Sequence, residues 1–470
     1  MLKMNFSAIW WIRRDMRLRD NATLQAALQH ERVIPVFVRD PNLLTALSAR
    51  RQPFLWNGLR ALESSLRRIG SYLIVRTGQP KAVLAQLLHE YGLKVIYAEE
   101  DYTPYARHRD TEIAKELPLN LVLGQLVNHP MATLKANGKP YSVFTPFSKN
   151  WRALIPSEQI IHPAPNQMTT EPYNIPSEKI PIIPEEKLFP AGEIEAHRRL
   201  NHFISEPSHL SNGNMQNKAK VYTYANDRNH PGMDGTSSLS PYLHFGMLSL
   251  RETVHHARQA ISIADDEDSR LSAETWLNEL IWREFYIHVL YHFPHLRVHS
   301  FRSQYEKINW INNPSDFDAW KLGKTGYPIV DAGMRQLQET GWMHNRARMI
   351  VASFLVKDLL IDWRWGEAWF MENLLDADLA SNNGGWQWSA GVGTDAAPYF
   401  RIFNPILQSK KFDPHGNYIR RWVPELADLS DQDIHAPWER KVSVKDYPLP
   451  IIDHKFARER TLEAYQKVRN

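Results

Sequence analysis

The sequence predicts an α/β domain with a doubly wound parallel sheet, then a long connector, then an all-α domain. Three observations lead to that reading. Short apolar strands alternate with amphipathic helices through the first part of the chain, the pattern of a parallel sheet covered on both faces. Residues 156–190 hold eight of the chain's 30 prolines, too many for regular structure. From about residue 195 the apolar residues recur at helical spacing and little alternates as a strand would. The expected boundaries are 1–130 for the α/β domain, 131–200 for the connector and 201–470 for the helical domain.

Taken in order, SAIWWIRR, NATLQAALQH and RVIPVFVRD read as strand, helix and strand. RRQPFLWNGLRALESSLRRIG reads as an amphipathic helix with Leu55, Leu59, Leu62 and Leu66 on one face. SYLIVRTG, KAVLAQLLHEYG and LKVIYAEE give another strand–helix–strand unit. No strand-to-helix turn carries GxGxxG, so an ordinary NAD-binding domain is not expected. A ligand at the carboxyl edge of the sheet is compatible with this pattern. In the second half AETWLNELIWREFYIHVLYHF, YPIVDAGMRQLQETG, HNRARMIVASFLVKDLLIDW and WGEAWFMENLLDADLAS read as long helices. The stretch SNNGGWQWSAGVGTDAAPYF at 381–400 is too glycine-rich to be a good helix. Its Trp386 and Trp388 fit either core filler or the floor of a pocket for flat rings.

Bulk properties narrow the classes. The 470 residues carry a net charge of +4, which alone does not announce a nucleic-acid binder. With no Cys, disulfides, thiolate zinc sites, iron–sulfur clusters and thiol nucleophiles are excluded. The 16 Trp, 18 Tyr and 18 Phe favour large buried rings or sites that stack on planar ligands. No secretory signal or membrane span is expected, so a cytoplasmic protein is the default.

Four constellations carry chemistry. In DGTSSLSPYLHFG, Thr236, Ser237, Ser238 and Ser240 crowd hydroxyls and amides after a glycine. Such a turn suits phosphate oxygens; an ordinary Ser/Thr-rich helix cap fits as well. In ETWLNELIWREFY, helical spacing puts Trp276, Glu279, Trp282, Arg283 and Tyr286 on one broad face. Glu279 and Arg283 then form an i,i+4 pair, either a surface salt bridge beside core rings or the edge of a site for a planar polar ring. In GWMHNRARM, Asn345 and Met349 lie one turn apart near Arg346 and Arg348. That is a solvated basic turn, or an amide for a base or flavin edge with arginine for phosphate. In DADLASNNGGWQW, Asp376 and Asp378 precede Asn383. No metal motif supports an ion there, and carboxylates accepting from ring N–H or ribose hydroxyls are the alternative.

Seven blocks in order, WWIRRDMRLRDNATL, GTSSLSPYLHFG, NELIWREFY, GKTGYPIVDAGMRQL, GWMHNRARMIVASFLVKDLLIDW, DADLASNNGGWQW and GTDAAPYFRIFNP, resemble the DNA photolyase/cryptochrome family over nearly the whole chain. The resemblance implies FAD folded inside the helical domain. It assigns Tyr224, Thr236, Ser237, Ser238, Leu239 and Ser240 to the phosphates and neighbouring groups. Trp276, Arg283, Asn345, Arg348, Asp376 and Asp378 would line the flavin and ribose, and Asn383 would face flavin N5. It further implies DNA containing pyrimidine dimers as partner. Glu279, Trp282, Asn345, Met349 and Trp388 would meet a flipped dimer, with Arg283, Tyr286, Arg346 and Arg401 in the DNA-binding set. Trp386, Trp363 and Trp310 would carry a hole from excited oxidised flavin to the surface.

Within the family the chain resembles the class I cyclobutane pyrimidine dimer photolyases. The (6-4) photolyases carry a His pair and a further His four residues on; here His344 is followed by Asn345 and Met349. Asn383, and a chain that ends at Asn470 soon after the last block, argue against a photosensory cryptochrome. WQW at 386–388 differs from the WQY of DASH-type members. A second, antenna chromophore is implied for the α/β domain. EEDYTPYARHRD at 99–110 is nearer the deazaflavin type than the methenyl folate type, since Tyr105–Ala106 stands where an Asn–Glu pair is expected. Tyr102 and Tyr105 read equally as surface packing. A monomer in a bacterial or archaeal cytosol is the expected setting.

Overall fold

The computed structural model describes the chain except residues 1–3, 157–159, 171–173, 185–187, 206, 210–214, 397, 399, 441–443 and 470. Parts of the proline-rich connector and Ala397 and Tyr399 of the GTDAAPYFRIFNP block therefore lie outside the described residues.

Five parallel strands form the sheet: β1 (Met4–Ile12), β2 (His30–Arg39), β3 (Ile74–Thr77), β4 (Val95–Glu99) and β5 (Leu119–Val122), in the order β3-β2-β1-β4-β5. Alternation along β1 explains why it is apolar throughout. Ala8, Trp10 and Ile12 enter one core while Ile9 and Trp11 enter another on the opposite face. The order reverses between β1 and β4, and open parallel sheets bind ligands at such a crevice. The helix α1 (Gln52–Arg68) buries Leu55, Leu59, Leu62 and Leu66 as its spacing predicts.

The segment 131–200 contains α2 (Phe144–Ala153) and the start of a helix over Glu193–Ser205. No helix or strand is assigned among the described residues between those two helices. The second half is helical, with one exception the sequence did not suggest: Pro207–His209 pairs antiparallel with Met215–Ala219. The site is built on α3 (Ser240–Phe245), α4 (Glu267–His292), α5 (Asn345–Ser353), α6 (Trp363–Asn373) and α7 (Leu379–Ala390).

Three expectations are corrected here. The stretch from 344 to 363 is not one helix: α5 widens into a π-helical turn over Phe354–Asp358 and stops at Leu360, whose φ is 53°. The helix expected over 365–381 ends at Asn373, and Asp378 caps the next one through its side chain. Conversely, the Gly-rich stretch does form a helix, α7. Its glycine is a packing requirement: a Cβ on Gly384 would enter the Tyr286 ring of α4. Tertiary contact outweighs the roughly 1 kcal/mol intrinsic penalty of helical glycine.

Two cores result. One runs from the sheet through α1 to Tyr224, Trp276 and Phe285, so the halves share a continuous apolar interior. The other lies within the helical half around Trp320, Trp363 and Trp386. No helix of the described residues is long and apolar enough to cross a membrane.

Candidate functional site

The long helix α4 supplies most of the site. It is capped by Asp266, which accepts from the Ser269 N–H, and it is buried on several sides. Trp276 is buried and packs against Phe203 at 4.9 Å between centroids. One turn on, Glu279 is half-buried, and its ion-pair partner is Arg228, 2.5 Å away, rather than Arg283. The expected i,i+4 pair is therefore not formed. Arg228 also lies 5.3 Å over the buried Tyr224 ring.

Arg283 faces another way. Its Nη2 donates to the Leu243 carbonyl at 3.4 Å, and its Nη1 is buried without a hydrogen-bond partner. Burial lowers its pKa, partly offset by the Asp378 charge. A buried guanidinium with an unsatisfied N–H is costly, so the place is suited to an acceptor-rich ligand. FAD, with its pyrophosphate and ring carbonyls, fits that requirement.

The hydroxyl turn stands beside α3. Gly235 must be glycine, because a Cβ there would meet Asp227 Cβ at 2.6 Å. Ser238 adopts φ 50°, and the Thr236 and Ser238 hydroxyls lie 3.4 Å apart. Leu239, the N-cap residue, is buried and Ser240 is exposed. No side chain caps α3, so the plain Ser/Thr cap is not what these hydroxyls do. Their cluster suits phosphate oxygens.

At α5, His344 is the N-cap, and its Nδ1 accepts from the Arg346 N–H at 3.1 Å. Burial, then the charges of Arg346 and Arg348, push its pKa down to about 3, which keeps Nδ1 free to accept. Asn345 is exposed, and its amide and the Arg346 guanidinium each approach the Met349 sulfur at 3.9 Å. Arg346 donates to Asn229 Oδ1. Arg228 and Asn229 thus tie α4 to α5 from one short loop. Arg348 grips Asp376 with Nη2 at 3.0 and 2.9 Å from the two oxygens.

On α7, Asp378 Oδ1 accepts from the Ser381 N–H at 3.0 Å while Oδ2 accepts from Arg14 at 2.9 Å. Burial alone would raise its pKa; the Arg14 and Arg283 charges hold it well below the usual carboxylate range. Asn383 is buried, donates toward Glu367 of α6 at 3.4 Å and accepts from Gln387 at 3.0 Å. Burial pushes the Glu367 carboxyl up to about 7.

The tryptophans divide by burial. Trp282 and Trp388 are half-buried, whereas Trp386 and Trp363 are buried. Trp282 stacks on Phe144 of α2 at 3.7 Å and 3°, with Tyr286 at 5.6 Å. Trp386 meets Trp320 at 6.1 Å and Phe370 at 5.0 Å, while half-buried Trp310 meets Tyr465 at 6.2 Å. Arg401 is exposed in a loop. Among the described residues no cluster of His, Asp and Glu could hold a metal ion.

Sequence reasoning missed Arg228, Phe144, Glu367 and Arg14. None has a periodic or motif signal that names its partner, and only Arg14 lies in a block already singled out.

A family profile described as DNA photolyase matches residues 8–168, and one described as the FAD binding domain of DNA photolyase matches 276–467. A deoxyribodipyrimidine photo-lyase of Agrobacterium fabrum is 41% identical over 98% of this chain and 98% of its own length. The chain belongs to the DNA photolyase family. Among solved structures, a bacterial class III photolyase from Agrobacterium tumefaciens aligns with TM-score 0.89 and 38% identity, over 100% of this chain and 99% of its own. An archaeal photolyase from Sulfolobus tokodaii aligns with TM-score 0.82 and 32% identity, over 98% and 100%. That protein holds two FAD molecules, the second described as a novel light-harvesting cofactor. The fold and the FAD-binding half of this chain are those of the family.

Proposed function

We propose that this protein repairs cyclobutane pyrimidine dimers in DNA under blue light. The observation that carries the reading is a set of partly exposed residues at the rim of the cradle, the site built on α3 to α7. Half-buried Glu279 and Trp282 lie on α4, and Asn345 and Met349 lie on α5 where (6-4)-type members carry histidines. The names of the full-length relatives point the same way.

FAD would be held by the 236–240 turn, Arg283, Arg348, Asp376 and Asp378. When bound and reduced, it supplies the light-driven electron that opens the cyclobutane ring and then takes the electron back. The protein's part is positional. Trp282, backed by Phe144, and Trp388 present apolar faces to the fused bases of a flipped lesion; photolyases are a standing example of base flipping. Glu279 offers a carboxylate to a thymine N–H once Arg228 shares or releases it. Asn383, restrained by Glu367 and Gln387, presents a neutral amide to the flavin. Arg346 and Arg401 supply phosphate contacts. Trp386, Trp363 and Trp310 share or border one core and are proposed as the route that reduces the flavin. Trp310→Phe is expected to block photoreduction of oxidised FAD and leave repair by pre-reduced protein intact.

We place a second chromophore at the carboxyl edge of the sheet. There the guanidiniums of Arg13 and Arg109 lie over the Trp11 ring at 4.7 and 4.8 Å. The Tyr105 hydroxyl donates to Asp40 at 2.6 Å. Deazaflavin is favoured over methenyl folate; mixing the protein with each and reading the visible spectrum tests the choice. Repair itself is tested with a dimer-containing oligonucleotide and chemically reduced, FAD-loaded protein. A strand left unchanged under blue light would sink the proposal.

A further inference from the structure

A side chain of the α/β half, Arg14, reaches the cradle. Arg14, just past β1, donates Nε to the His244 carbonyl at 2.9 Å, Nη2 to His244 Nδ1 at 2.9 Å and Nη2 to Asp378 Oδ2 at 2.9 Å. Its Nη1 lies 3.0 Å from Gln125 when that amide turns its oxygen inward. A guanidinium only donates, so His244 Nδ1 is the acceptor and carries no proton. Asp378 is thereby used at both oxygens: Oδ1 caps α7 and Oδ2 is held by Arg14. α7 in turn carries Asn383, Trp386 and Trp388.

The backbone around Arg14 is fitted to the same place. Gly246, the residue that ends α3, has φ 68°, and a Cβ on it would run into the Arg14 carbonyl. Arg17 Nη1 donates to the Gly246 carbonyl at 3.1 Å. The two halves are thus in contact at the end of α3 and the start of α7, the elements that bracket the cradle.

We propose that Arg14 is a positioning residue of the flavin site, contributed by the α/β half. It fixes Asp378, and through it the start of α7, in the geometry FAD requires. This inference rests on the FAD reading above. It gives the sheet domain a role in the helical domain's cofactor site that does not depend on an antenna.

The test is reconstitution of apoprotein with FAD for the parent, Arg14→Ala, Arg14→Lys, Asp378→Asn and the double variant Arg14→Ala/Asp378→Asn. The readouts are the dissociation constant and the visible circular dichroism of bound oxidised FAD, which reports ring placement. Arg14→Ala is expected to weaken FAD at least tenfold and change the visible spectrum, and Arg14→Lys to recover part of both. The double variant is expected to be no worse than Asp378→Asn, because the two residues act as one unit. If Arg14→Ala does not fold, Arg14→Lys carries the test, with an affinity between the parent and Asp378→Asn expected. Parent-like affinity and spectrum in the foldable Arg14 variants would overturn this inference alone. A parent that binds no FAD would overturn the cofactor reading and this inference with it. Additive losses in the double variant would show that Arg14 does not act through Asp378.

Discussion

The carboxyl edge of the sheet and the cradle in the helical half are both lined by arginines beside tryptophans, yet they settle their charges differently. At the sheet edge, Arg13 pairs with Asp110 at 2.6 Å, Arg17 with Glu99 at 3.5 Å, and Trp10 donates to Asp15 at 2.8 Å. Charge there is neutralised by neighbours of the same domain. In the cradle Arg283 keeps a buried N–H with no partner, and Glu279 borrows Arg228 from a loop. A buried charge left open is a cost in the free protein that a ligand can remove. Open N–H groups occur in both regions, Arg13 Nε among them; what differs is that Arg13 has a carboxylate partner while Arg283 has none among the described residues, so arginine content alone does not mark the cofactor site.

Four predictions break or sharpen that contrast, from the largest effect to the smallest. Arg13→Ala takes one of two arginines from buried Asp110, which keeps Arg109 at 2.9 Å, and is expected to cost the free protein about 1.5–3 kcal/mol, the scale for losing a hydrogen bond to a charged group. Arg283→Ala should do the opposite. The apoprotein melts no lower than the parent, while FAD affinity falls more than tenfold. A large drop in apoprotein stability for Arg283→Ala would erase the distinction between the two regions.

Next come the rim tryptophans. Trp282→Ala and Trp388→Ala are each expected to weaken binding of dimer-containing DNA by about 1–3 kcal/mol, the stacking range, with FAD retained. The same substitution at buried Trp386 should instead destabilise the fold, seen as a lower melting temperature. Equal effects at all three positions would mean burial does not separate lesion wall from core.

A smaller effect is set by pH. His344 has its folded pKa pushed down to about 3 from an ordinary value near 6.5. Between these values the unfolded chain binds the extra proton, so stability is full above about pH 6.5 and is lost as pH falls. The slope is at most about 1.4 kcal/mol per pH unit. His344→Asn keeps an N-cap acceptor and is expected to flatten this acid-side slope in urea titrations at stepped pH. An unchanged slope would place the titrating group elsewhere. Smallest is the salt response: Arg401→Ala should lower the slope of log affinity against log salt by about one.

Much of this was legible in the sequence because its signal is local. The heptad-like leucines of α1, the alternating strands and the ordered blocks each specify themselves within a few residues. The open partners were not legible. Glu279 meets Arg228, 51 residues away, and Asp378 meets Arg14, 364 residues away; no spacing rule reaches that far. Helix α7 was misread because Gly384 is selected by the Tyr286 ring pressed against it, and propensity counts only the backbone. The same holds for Trp282, whose stacking partner Phe144 comes from the connector.

The most direct measurement offers two lesions to the same pre-reduced, FAD-loaded protein: an oligonucleotide with a cyclobutane thymine dimer and one with a (6-4) product. Return of thymine absorbance is followed in blue light and in the dark. Repair of the cyclobutane strand in light only, with the (6-4) strand untouched, is the predicted result. Repair of the (6-4) strand, or of neither, would contradict the assignment of Glu279, Trp282, Asn345 and Met349 to a cyclobutane dimer.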